Sequence, residues 1–113
     1  MLNEKNKATR IMKEIISYFL ENDLNQFDLS FKIDSKECYL SVQAPANVEP
    51  DDFQQLLSDL QAERQIELDE YYNALLGSHS KHDYSFLGKT IDKAEGGYKD
   101  GVLSLELWRF NLD

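Results

Sequence analysis

The stretch "YKDGVLSLELW", residues 98–108, decides how this chain is read. Asp100-Gly101 is a strong signal for a two-residue hairpin turn, because both residues tolerate the left-handed backbone that such a turn needs. After it, Leu103, Leu105 and Leu107 alternate with Ser104, Glu106 and Trp108, the period of a strand with one buried face. A two-residue turn makes cross-strand positions sum to 201. Ala94 then faces Leu107, Lys93 faces Trp108, Asp92 faces Arg109 and Ile91 faces Phe110. The incoming strand is read across 86–94 in preference to a short helix there, and Gly96-Gly97 predicts a bulge in it.

A second hairpin lies upstream. In "FDLSFKI", residues 27–33, Phe27, Leu29, Phe31 and Ile33 alternate with Asp28, Ser30 and Lys32. "CYLSVQA", residues 38–44, repeats the pattern with Cys38, Leu40, Val42 and Ala44 on one side. Around these hairpins the apolar period changes to three and four. Ala8, Ile11, Met12, Ile15, Ile16, Phe19 and Leu20 predict a helix over 4–22. Phe53, Leu56, Leu57 and Leu60 make one helical row; Leu68, Tyr71, Tyr72 and Leu75 make another. Eight residues turn about 800°, which leaves the two rows about 80° out of phase. A break is therefore expected at "QAERQ", residues 61–65, with Gly77 closing the second helix. The fold class is α+β: a two-layer sandwich of four mostly antiparallel strands in two hairpins, helices on one face, order αββααββ, one domain over 1–113. The expected core includes Ile11, Ile15, Phe19, Leu29, Phe31, Leu40, Val42, Phe53, Leu57, Leu60, Leu105 and Leu107.

Composition bounds the function. The chain has 113 residues, with 42% hydrophobic and 12% aromatic residues, enough for a core. Against 12 Lys and Arg stand 21 Asp and Glu, a net charge of −9. Such a surface repels phosphate backbones at long range, so nucleic acid is not expected as a partner. Lys5, Lys7, Arg10 and Lys13 read as solvated helix charges. Lys13 and Glu14 interrupt the N-terminal apolar stretch, which reads as neither a leader nor a membrane span. One cysteine allows no internal disulfide. A soluble cytoplasmic protein is expected.

Four groups carry candidate chemistry. His79 and His82 are spaced HxxH in "GSHSKHDYSFLG", residues 77–88. A helical zinc pair prefers a spacing of four, and Gly77, Ser78 and Ser80 point to a loop, so a polar loop is read rather than a metal or catalytic site. Cys38 alternates with Leu40 and Val42 and reads as a small buried hydrophobe rather than a nucleophile. The acids from Glu49 to Glu70 lack the offsets and glycine of a calcium loop; they read as a solvated face that could receive a basic partner. Asp92 and Arg109 read as an ion pair closing the rim of the core. No phosphate-binding glycine motif or nucleophile elbow is present. No cofactor is expected.

The remaining feature is aromatic. Trp108 and Phe110 point away from the leucines, Ile91 faces Phe110, and Tyr39 points outward from its own strand. These four form the expected interface for a protein partner or a second copy.

The order of elements also resembles the GHKL ATPase domain of histidine kinases and anti-sigma factors. "RIMKEIISYFL" is similar to its first helix, "FDLSFKIDSKECYLSVQAPANVEPDDFQQLL" to its hairpin, nucleotide loop and next helix, and "LDEYYNALLG" with "GYKDGVLSLELW" to its last helix and closing hairpin. Where the family places an Asn four residues after a Glu, Tyr18 follows Glu14. Where it has DxGxG, Ala44 to Val48 read "APANV". The resemblance implies a shortened, non-catalytic relative with no functional residue to carry over. A non-catalytic interaction or regulatory protein is the leading expectation. A nucleotide or small-ligand module is the first alternative, and a metal enzyme built on His79 and His82 the second.

Overall fold

The structure is a computed structural model and describes residues 3–76 and 84–111. Helix α1 spans Glu4–Glu21. Its start is capped by Asn3, whose side chain accepts the Asn6 N–H at 2.9 Å. It ends where Asp23 turns left-handed at φ 61°. Strands β1 (Asp28–Ile33) and β2 (Glu37–Pro45) form the first hairpin. Helix α2 (Phe53–Leu60) follows. The break after it is real: a 3-10 turn at Ile66–Leu68 leads into α3 (Asp69–Ala74). It is held by the Gln65 N–H, which donates to the Lys89 C=O at 2.9 Å. A short helix α4 (Ser85–Gly88) precedes β3 (Lys93–Lys99) and β4 (Val102–Phe110). Helices and a four-stranded antiparallel sheet thus make an α+β fold, with sheet order β1-β2-β4-β3.

The closing hairpin has the expected register throughout, Lys93 opposite Trp108 and Lys99 opposite Val102. Asp100 and Gly101 both take positive φ, 53° and 76°, which matches the turn to the strand twist. Two expectations fail here. Gly96 and Gly97 pair in unbroken register with Leu105 and Ser104, so there is no bulge. Residues 85–88 are helical rather than extended. Gly88 explains the helix: a Cβ there would stand 1.8 Å from the Asp59 carbonyl oxygen of α2. Only glycine lets the two helices approach so closely, and the extended segment is deferred to Lys93.

The core lies between the helices and one face of the sheet. Ile11, Ile15, Tyr18 and Phe19 of α1, Phe53, Leu56 and Leu60 of α2, and Leu103, Leu105 and Leu107 of β4 belong to one buried cluster. Leu29 and Leu57 are only partly buried, and Phe31 is 37% exposed. For Leu29 and Phe31 the reason is position: β1 is an edge strand, whereas Leu57 lies on α2. Among the described residues no helix is long and apolar enough to cross a membrane.

Candidate functional site

The outer face of the sheet carries the aromatic residues singled out above. Tyr39, Trp108 and Lys93 stand in one row across β2, β4 and β3. The Tyr39 and Trp108 rings lie 5.3 Å apart, and the Lys93 Nζ sits 4.7 Å from the Trp108 ring centre. The ammonium is drawn to the negative face of the indole. The Tyr39 hydroxyl donates to the Glu106 carboxylate at 2.5 Å. That bond to an anion pushes the phenol's pKa up. Phe110 is 42% exposed. Its backbone is pinned on both sides, the N–H donating to Asp92 at 2.6 Å and the C=O accepting from Arg64 at 2.8 Å. The ring is held out in water by a strand end that cannot turn it in.

Ile91 does not join this row. It is 1% exposed and belongs to the core cluster. The chain is still closing the α4 turn at this point, with the Thr90 hydroxyl donating to the Leu87 C=O at 2.7 Å. Because β3 begins two residues later, the alternation that would have put Ile91 outside has not started. Tyr39, Trp108 and Phe110 are therefore the aromatic set of the outer face, with Lys93 and Glu106 as polar companions. Glu106 was legible only as a polar alternate of β4; its bond to Tyr39 needs the β2–β4 pairing.

On the opposite face, β4 ends in a buried cation. Arg109 is 2% exposed. It donates to both Asp69 oxygens, at 2.6 and 2.7 Å, and to both Glu4 oxygens, at 3.0 and 2.7 Å. A further bond reaches the Thr90 C=O at 2.7 Å. Lys7 and Arg64 also reach Asp69, at 3.1 and 3.3 Å, and Arg64 binds Asp92 at 2.6 Å. The expected Asp92–Arg109 pair is thus replaced. Asp92 is taken by Arg64 and the Phe110 N–H, and Arg109 turns inward to α1 and α3.

Three cations face three carboxylates, so the cluster is closed in charge. Burial pushes the Asp69 carboxyl up, but the Arg109 bonds, helped by Lys7 and Arg64, outweigh it and hold it below the usual range. Arg109 likewise holds Glu4 low. Burial works against the charge of Arg109, yet its carboxylates fix it more firmly protonated than usual. A cleft of about 290 Å³ opens over this cluster, with Glu67, Glu70 and Asn111 on its walls. The ions inside it are spent on one another, so the arrangement ties α1, α3 and β4 together.

The other candidates fall into place around this frame. Cys38 is buried, and burial pushes its thiol pKa up, the environment of an inert thiol. The acidic run is not one solvated face. Asp69 is buried in the ion cluster, and Asp52 accepts the Tyr18 hydroxyl at 2.8 Å. Asp59 accepts from the Gln55 amide at 2.9 Å, whereas Glu63 and Glu67 are exposed. Nor are the N-terminal bases all free. Lys7 joins the cluster, and Arg10 donates to the Asn73 and Ala74 carbonyls that end α3. Tyr18, at the position where the GHKL pattern has Asn, is fully buried and packs edge-on against Tyr84 at 5.7 Å. His79 and His82, with Gly77, lie outside the described residues. Among the described residues no group of three or more His, Cys, Asp or Glu side chains is placed to hold a metal ion.

No family model, curated protein or solved structure matches the chain.

Proposed function

We propose that this chain is a non-catalytic interaction protein of the cytoplasm, and that it binds a protein partner through the outer face of its sheet. The observation that supports this reading is the row Tyr39–Trp108–Lys93 with Phe110 beside it, on a sheet face that no helix packs against among the described residues. Tyr and Trp are the favoured anchors of protein interfaces, because a rigid ring with a polar tip gives contact area at low entropic cost. The polar groups nearby are arranged to hold those rings rather than to act on a substrate: Glu106 orients Tyr39, and Lys93 lies over Trp108.

The test is a Trp108→Ser, Phe110→Ser double variant. Tagged wild type and variant are used as bait in an extract of the native cells. A protein retained by the wild type and lost by the variant, at unchanged melting temperature, is the expected result. Retention of the same protein by both, or no specific retention by the wild type, counts against this reading.

A further inference from the structure

The two edges of the sheet are finished differently. At β3 the Gln61 side-chain amide of the α2 end donates to the Ala94 C=O at 3.1 Å, and Gly96 lies against the Phe53 ring. That edge is drawn under a helix. Among the described residues nothing comparable crosses β1. The Asp34 N–H donates to the Glu37 C=O at 2.9 Å, which fixes which way the strand's groups point. By the alternation of an antiparallel pair, the even-numbered residues of β1 bond to β2. The N–H and C=O groups of Leu29, Phe31 and Ile33 then point out from the edge. An open edge of this kind is a template for another strand.

We propose that a second copy of this chain supplies that strand: two β1 strands pair antiparallel across a two-fold axis, with Ser30 opposite the second copy's Ser30. The charges select this register. Asp28 and Lys32 are symmetric about Ser30, and neither has an opposite charge across β2, where their partners are Gln43 and Tyr39. Among the described residues Lys32 reaches only Asp34, 3.6 Å away and exposed. Centred on Ser30, each Asp28 meets the other copy's Lys32, twice over. Leu29 meets Phe31, and their free backbone groups bond to each other. Centring on Phe31 would set Asp28 against Asp34, and centring on Leu29 would leave both charges without an opposite. Phe31 supports the same reading. It lies on the core face beside Leu40, yet is 37% exposed where the sheet stops. A second β1 would cover it. The axis runs normal to the sheet, so both helical layers stay on one side and the two outer faces join into one eight-stranded surface. This inference does not rest on the outer-face reading, since the contact is an edge and none of Tyr39, Trp108 or Phe110 lies in it.

The test is sedimentation velocity over a concentration series in 0.15 M salt, where the repulsion between two chains of net charge −9 is screened. The wild type is expected to dimerise. Asp28→Lys and Lys32→Asp each set like charges together and should weaken the dimer at least tenfold, while the Asp28→Lys, Lys32→Asp double variant should restore it. These side chains are exposed, and melting curves confirm that each variant folds. Ser30→Cys should close a disulfide between copies under diamide, because a non-hydrogen-bonded antiparallel pair brings the Cα atoms to about 4.5 Å. A wild type that stays monomeric at several hundred micromolar overturns the inference. So does a dimer that the single swaps leave intact, or a double variant as weak as the singles. Loss of the dimer in Trp108→Ser, Phe110→Ser alone would move self-association to the outer face and overturn it as well.

Discussion

Strand β4 shows two ways of ending the same strand. On its inner side Leu103, Leu105 and Leu107 lead to Arg109, which is enclosed by two carboxylates and a carbonyl. On its outer side Ser104 and Glu106 lead to Trp108, half-buried between Tyr39 and Lys93, and to the exposed Phe110. Alternate residues of one strand thus serve opposite ends. A buried guanidinium must have its donors and its charge matched inside the protein, or the fold bears the desolvation cost. An aromatic ring on an open face costs little to leave there and becomes useful when something covers it. The difference separates what holds the fold from what is available to a partner.

Breaking the inner end should have the largest effect. Arg109→Met strands Asp69 in a buried site and takes the main partner from the partly exposed Glu4, and is expected to cost about 3–5 kcal/mol in urea unfolding, a large fraction of the stability of a domain this size. A loss under about 1 kcal/mol would mean that Lys7 and Arg64 already satisfy Asp69 without it.

Acid should loosen the same end. Asp69 and Glu4 are held below their ordinary pKa in the fold, so the stability they carry is present above the unfolded carboxylate values. It should be lost as the pH falls from about 4, the unfolded value, through the depressed folded ones. Urea midpoints from pH 7 to pH 2 should fall in that window, and fall less steeply in Asp69→Asn, which lacks one of the two groups. Equal slopes in the two proteins would remove Asp69 from the account.

A smaller effect is expected between the two ends, at Tyr18. Tyr18→Phe keeps the ring among Phe19, Phe53 and Tyr84 but removes the bond to Asp52. It should cost about 1 kcal/mol, the ordinary net value of one hydrogen bond. The thermal midpoint is the readout, and a loss as large as that of Arg109→Met would make α1–α2 contact a second ionic anchor rather than a packing contact. The outer end should matter least to stability. Trp108→Ser with Phe110→Ser is expected to change unfolding by only about 1 kcal/mol, because Phe110 is exposed and the half-buried Trp108 touches only surface partners, Tyr39 and Lys93. A severe loss would place these rings in the core and end the contrast.

Much of this was legible in the sequence, for local reasons. The Asp100-Gly101 turn fixes the register of β3 on β4, and the phase change between two apolar rows marks the break at residues 61–65. The alternation in β4 placed Arg109 inside and Trp108 outside. What the pattern could not supply was long-range. Glu4 and Asp69 stand 105 and 40 positions from Arg109, and no periodicity links them. Ile91 was misplaced because the approach of Gly88 to Asp59, 29 residues apart in the chain, decides where β3 begins. Phe31 alternates as a core residue should, but alternation cannot tell an edge strand from a central one.

The outer face of the sheet is proposed as the place where a partner sits. The most direct test is photo-crosslinking in the native cells, with p-benzoylphenylalanine placed at Phe110 and, for comparison, at Val48, an exposed residue of the loop after β2. A discrete heavier adduct is expected from position 110, absent from position 48 and lost when Trp108→Ser is added. No adduct from position 110, or the same adducts from both positions, would contradict it.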